Sequence, residues 1–134
     1  MNNYVEKALA LHAKGYNCAQ AVICAFEDKA GVDSKTLYML AEGFGAGIGN
    51  RNNICGALSG AVMLAGAVES AGDVNTPSKM DTYKKSGRIA EIFEEKCKAV
   101  ACCDIKGLKT GTPTVSCEEC IVIAVEAANE ILFG

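Results

Sequence analysis

Ile54-Cys55-Gly56-Ala57-Leu58-Ser59-Gly60-Ala61-Val62-Met63-Leu64-Ala65-Gly66-Ala67-Val68-Glu69-Ser70 is the stretch whose reading decides the fold. It holds most of the longest uncharged run in the chain, Asn52 to Val68, so it belongs either in a membrane or in a core. The run barely reaches spanning length, opens on two asparagines and is interrupted by Gly56, Ser59, Gly60 and Gly66. That pattern predicts a buried core helix over residues 54–70 and no membrane insertion. Gly56 and Gly60, with Ala57, Ala61 and Ala65, are small residues four apart, which let a neighbouring helix approach closely.

Outward from this helix, apolar residues recur at spacings of three and four, and no stretch alternates long enough to argue for a sheet. The chain therefore reads as all-α, a single-domain bundle of about five to six helices spanning residues 1–134. A first helix covers residues 4–13 and stops at Lys14-Gly15. Asn17 caps a second, with Gln20 completing a capping box and Gly31 closing it. A short third helix runs over residues 34–42. The glycine-rich segment Gly43-Phe44-Gly45-Ala46-Gly47-Ile48-Gly49 then leads into the fourth, the helix quoted above. Thr76-Pro77 opens a fifth that runs to about Cys103, since proline is tolerated in a first turn. Ser116 and Glu119 form another capping box, opening a last helix over residues 117–132.

The glycine segment does not fit a nucleotide-binding loop. Its glycines stand at 43, 45, 47 and 49, which misses G-x-G-x-x-G, a helix precedes it where a strand is needed, and no G-K-[ST] follows. Close backbone approach explains it more simply.

Composition narrows the function classes. The 134 residues are 50% hydrophobic and carry 13 basic against 16 acidic side chains, for a net charge of −3. Scattered, outnumbered lysines and arginines do not make a nucleic-acid binder. A chain of this length buries roughly 70% of its unfolded surface and needs no disulfide staples. Yet it has 8 cysteines beside a single histidine. The N-terminus lacks the basic, then apolar, pattern of a secretory signal, which points to the cytoplasm. In a reducing compartment eight thiols indicate metal binding or redox chemistry over structural disulfides. With one histidine, no Ser-His-Asp or Cys-His-Asn set can be assembled. A homodimer is compatible with a small alanine-rich bundle.

The cysteines cluster at expected helix ends. Cys18, Cys55 and Cys117 each fall in a first turn, where unpaired amides and the dipole favour a thiolate and lower its pKa. Cys102 and Cys103 fall at the expected end of the fifth helix. Ends of several helices can converge, so thiols from four segments can form one site. Cys24 lies about 240° round its helix from Cys18 and faces elsewhere. Cys97 continues an apolar stripe and reads, like Cys24, as a packing residue. Cys117-x-x-Cys120 has thioredoxin spacing, but Cβ atoms three apart in a helix are about 5–6 Å apart, beyond the roughly 4 Å that a disulfide prefers. The pair could equally supply metal ligands. Of the adjacent Cys102 and Cys103, at most one is expected in a site. His12 reads as a surface or packed residue, and Arg51 as a loop cation near Cys55.

Cys55-Gly56-Ala57-Leu58-Ser59-Gly60 fits CGAxxG at every specified position. With Gly15-Tyr16-Asn17-Cys18-Ala19-Gln20-Ala21, Phe44-Gly45-Ala46-Gly47-Ile48-Gly49 and Cys103-Asp104-Ile105-Lys106-Gly107, the chain resembles the C_GCAxxG_C_C family, small bacterial and archaeal proteins described as redox-active through four characteristic cysteines. The fourth cysteine aligns better with Cys117 than with Cys120. Departures are the extra Cys24, Cys97, Cys102 and Cys120, and Asn50 where a basic residue is common.

The resemblance implies a redox site of Cys18, Cys55, Cys103 and Cys117, with Cys120 beside it, exchanging thiols and disulfides with a partner protein or small thiol as an oxidoreductase would. The family is similar to part of the split-Soret cytochromes, which implies as an alternative that Cys18, Cys55, Cys103 and Cys117 hold an iron-sulfur cluster. A helical interaction protein with incidental thiols is the third reading.

Overall fold

The computed structural model describes residues 3–108 and 111–134. The first two residues, part of the stretch read as lacking a secretory signal, lie outside the described residues. Among the described residues the chain is all-helical: α1 (Asn3–Ala13), α2 (Cys18–Ala25), α3 (Glu27–Ala30), α4 (Ser34–Ala41), α5 (Gly56–Glu69), α6 (Lys79–Cys97), α7 (Cys102–Ile105) and α8 (Cys117–Phe133). Two expected helices are each broken in two, which raises the count above the five or six expected. The helix capped by Asn17 leaves helical geometry at Phe26 (φ −100°, ψ 24°), whose buried ring stacks between Tyr4 and Phe133. It resumes as α3 and ends at Gly31, left-handed at φ 72°.

The second break matters more for function. The helix expected to reach Cys103 stops at Cys97, where Lys98 turns left-handed at φ 67°. After a bend at Val100, Ala101 is extended (φ −76°, ψ 135°) against Ile54, just before α5. The Cys55 amide donates to the Val100 carbonyl at 2.7 Å, and the Cys102 amide to the Asn53 carbonyl at 2.8 Å. This short antiparallel pairing, with its bridge between Ile54 and Ala101, sets the starts of α5 and α7 side by side.

The core is built from α2, α5, α6 and α8. Val22, Ile23, Leu64, Ile89, Phe93, Ile121 and Val125 are each at most 1% exposed. Burying a side chain of that size stabilises the fold by roughly 1.5–3 kcal/mol. As expected, α5 is a core helix, and no described helix is long and apolar enough to cross a membrane.

Its small residues have a defined partner, the first turn of α2. A Cβ on Gly60 would stand 2.6 Å from the Ala19 carbonyl oxygen, and one on Gly56 would stand 3.2 Å from the Ala19 amide nitrogen and 3.4 Å from the Cys18 Cβ. Two helices can touch backbone to backbone here because neither position has a side chain. Capping fixes the other side of the contact. The Asn17 side chain accepts from the Gln20 amide at 2.9 Å, and Gln20 Oε1 accepts from the Asn17 amide at 2.9 Å. Gln20, buried at 3% exposure, also donates to the Tyr38 carbonyl at 3.1 Å and ties α2 to α4.

Gly60→Ala is therefore expected to lower stability by roughly 1–3 kcal/mol in urea unfolding. Gly87→Ala, on α6 with nothing within 4 Å of the added carbon, is expected to raise it by about 0.5–1 kcal/mol. Equal responses at the two positions would contradict backbone contact at Gly60.

Candidate functional site

Backbone contact between α2 and α5, pairing between the starts of α5 and α7, and a folded turn before α8 bring four helix starts to one place. In that turn the Thr114 amide donates to the Ile105 carbonyl at 2.8 Å and the Gly111 amide to the Gly107 carbonyl at 2.7 Å, which returns the chain from α7 to the start of α8. Between these ends lies a cavity of about 170 Å³. Cys18, Cys55, Cys102, Cys117 and Cys120 line it, with His12, Arg51 and Lys106. All eight cysteines stand as free thiols.

Within the cavity the sulfurs face each other in sets. Cys18 and Cys117, both half-buried, form an outer pair. Deeper in, Cys55 faces Cys120, and behind the lining Cys120 faces Cys97, all three buried. The capping box that opens α8 is formed, Ser116 Oγ accepting from the Glu119 amide at 3.1 Å and Glu119 Oε1 from the Ser116 amide at 3.2 Å. Its first turn is thus regular, and Cys117 and Cys120 each find a partner on another segment: Cys18 for the one, Cys55 and Cys97 for the other.

The wall opposite α7 is strained. Ala46, Ile48 and Arg51 are left-handed at φ 52°, 59° and 64°, a conformation that costs a residue with a side chain roughly 1–3 kcal/mol. Gly47, between them at φ 58°, is pressed against α7: a Cβ there would lie 2.6 Å from the Cys102 Cβ. That close approach is what the glycine-rich segment provides. Asn17 is clamped in turn, its Nδ2 donating to the Glu42 carbonyl at 3.0 Å.

Electrostatics overturn one expectation. Cys18 and Cys55 were expected to be acidic thiols because they start helices. Instead burial, with Cys117 and Cys55 nearby, pushes the Cys18 thiol up to about 12. The Cys120 sulfur facing it, and then burial, raise Cys55, although the amides of Ala57 and Leu58 pull the other way. No cap hydrogen bond forms at Cys55, so the helix start has only a weak hold on the sulfur. Cys102 is raised by burial, with Lys106 opposing. Cys120 sits at about 12: Cys55 lowers it, while Cys97 and burial raise it more together. Cys97 is lowered by its contact with Cys120. Lys106 is raised because it pairs with the Cys117 side chain, and so stays a cation.

Of the residues singled out in the sequence, the cavity brings together Cys18, Cys55, Cys117 and Cys120. Cys103 is buried outside the lining, its Sγ directed at Asp104 Oδ1 at 3.9 Å, and the neighbouring Cys102 holds the lining position. Cys24 stands apart, its Sγ 3.9 Å from the Ser34 carbonyl, as its position round α2 predicted. Cys97 is fully buried as expected, but it touches Cys120, which the apolar stripe did not reveal. Lys106 and His12 were not foreseen as lining residues; a cation three residues after a cysteine was the one available signal for Lys106. Among the described residues no three His, Cys, Asp or Glu side chains are grouped to hold a metal ion.

An all-helical domain that gathers thiols from several helix starts around one cavity is a thiol protein by construction. The chain belongs to the C_GCAxxG_C_C family, whose model, described as "Putative redox-active protein", matches residues 16–131. No curated protein and no solved structure matches the chain.

Thiols held neutral make a pH prediction. A pKa raised on folding contributes stability that is complete below the unfolded value, 9.0, and lost as pH climbs toward the folded value, about 12 for Cys18 and Cys120. The melting temperature is expected to fall steeply above about pH 9, in step with rising thiolate absorbance, and to fall less in Cys18→Ala or Cys120→Ala. A melting temperature flat from pH 8 to 11, on either side of that value of 9.0, would contradict neutral buried thiols.

Proposed function

We propose that this chain is a cytoplasmic dithiol-disulfide exchange protein. Its working pair is Cys18 and Cys117, with Cys55, Cys120 and Cys102 completing the site. The observation that carries this reading is the outer pair itself: two half-buried thiols from different helices, facing each other at an opening, with the Lys106 ammonium beside one of them. Cys102 replaces Cys103 in the set because it lines the cavity.

The chemistry balances without a cofactor. Cys117 attacks one sulfur of a disulfide, forming a mixed disulfide and releasing the first thiol. Lys106 stands beside Cys117 and stabilises the thiolate form that attacks. Cys18 then attacks the Cys117 sulfur, closing a Cys18–Cys117 disulfide and releasing the second thiol. The two thiol protons leave with the two released sulfurs, and the substrate disulfide is reduced as the protein pair is oxidised. Because burial holds Cys18, the resolving thiol, in its protonated form, closing of the disulfide is expected to be slow until a partner or substrate draws its proton away. The partner is a redox protein or a small thiol compound, and a reducing compartment keeps the pair in its thiol form.

Thiol counting during titration with a small disulfide tests the reading. The wild-type chain is expected to lose thiols two at a time with no adduct left. Cys18→Ser keeps Cys117, the attacking thiol, and is expected to accumulate a stable mixed disulfide visible as added mass, while Cys103→Ser behaves as wild type. Stoichiometric iron and visible charge-transfer absorption in anaerobically purified protein, or thiols lost singly in the wild type, would overturn it.

A further inference from the structure

The chain is acidic overall, at −3, but the cavity is not. Among the described residues its lining contains Lys106, Arg51 and His12 and no aspartate or glutamate. The neighbouring carboxylates Asp104, Glu118 and Glu119 are exposed and outside the lining: Asp104 stands 3.9 Å from the Cys103 Sγ, and Glu119 accepts from the Ser116 amide at 3.2 Å. Burial holds Cys18 and Cys102, and the facing Cys120 holds Cys55, in the neutral form, so these three thiols do not cancel the positive charge. Arg51 stands exposed on the strained segment, and Lys106 is half-buried beside Cys117, so positive charge extends from the rim to the outer thiol pair. An anion entering such a site gains from the cations before it reaches sulfur. The volume, about 170 Å³, equals roughly five or six water molecules' share of liquid, room for one arm of a small disulfide.

We infer that the cavity selects a low-molecular-weight disulfide carrying a negative group, its anionic arm lodged between Lys106 and Arg51 with its sulfur presented to Cys117. This rests on the exchange reading above, whose substrate class it names.

A pair of methanethiosulfonate reagents with the same reacting sulfur and opposite charge tests it: sulfonatoethyl, negative, and trimethylammonioethyl, positive. Each forms a mixed disulfide with a thiol and releases methanesulfinate, so labelling proceeds whether or not the protein's thiols pair with one another. The ratio of anionic to cationic labelling rate on the reduced folded chain at low salt is expected to be about tenfold higher than on the same chain unfolded in urea, and to shrink as salt is added. Lys106→Gln is expected to cut the ratio about fivefold, the factor that one unit charge a few ångströms away carries in a watery site, and Lys106→Arg to retain it. A folded ratio equal to or below the unfolded one would overturn the inference. So would complete resistance of the folded chain to both reagents. Failure of the exchange reading appears separately, in the thiol count, and leaves this ratio readable.

Discussion

The carbonyl oxygen of Ala19 occupies the space that a side chain on residue 60 would need, and the rest of the molecule is arranged around that backbone contact. With Gly60 and Gly56 bare, α5 lies against the first turn of α2, and Cys55, at the cap of one helix, shares an end with Cys18, the first residue of the other. The extended pairing of residues 53–55 with 100–102 then carries Cys102 to the same end. The turn after α7 adds Cys117 and, one helical turn deeper, Cys120. In the CGAxxG motif both glycines are packing, and their close approach is what sets the cysteine in the cavity wall.

Helix starts are usually invoked to explain acidic cysteines, but here burial wins. The dipole and free amides of a helix start contribute at most a modest attraction, typically 0.3–1 kcal/mol, and fall off within the first turn. Removing a thiolate from water costs more than that when the sulfur is buried among other sulfurs. Cys55 shows the balance directly, with amides of Ala57 and Leu58 pulling its pKa down and Cys120 and burial pushing it up further. The consequence is a cavity in which Cys18, Cys55, Cys102 and Cys120 are held neutral while Lys106 and Arg51 stand in the lining.

Much of this was legible in the sequence. The 3–4 periodicity, the capping boxes at Asn17 and Ser116 and the glycine stop at residue 31 gave the all-helical class and several boundaries, because each is local chemistry. The small residues of α5 predicted close packing, though not against which helix. What could not be read was anything decided by contacts between distant segments. Lys98 turns left-handed with no local proline or glycine to announce it, so the break between α6 and α7 was invisible, and with it the exchange of Cys103 for Cys102 at the cavity. The lowered thiol pKa values expected at Cys18 and Cys55 failed for the same reason: burial is a tertiary quantity. Cys97 shows how a stripe that correctly predicts burial says nothing of which sulfur waits on the other side.

The central claim is that the thiols pair across helices and not along them. Mapping the disulfides of the mildly oxidised chain by proteolysis and mass spectrometry, with unreacted thiols blocked at acid pH, tests it most directly. The account predicts Cys18 joined to Cys117, and Cys120 joined to Cys55 or Cys97 where the inner set is also oxidised. A Cys117–Cys120 bond within α8, or a bond that includes Cys103, would contradict it.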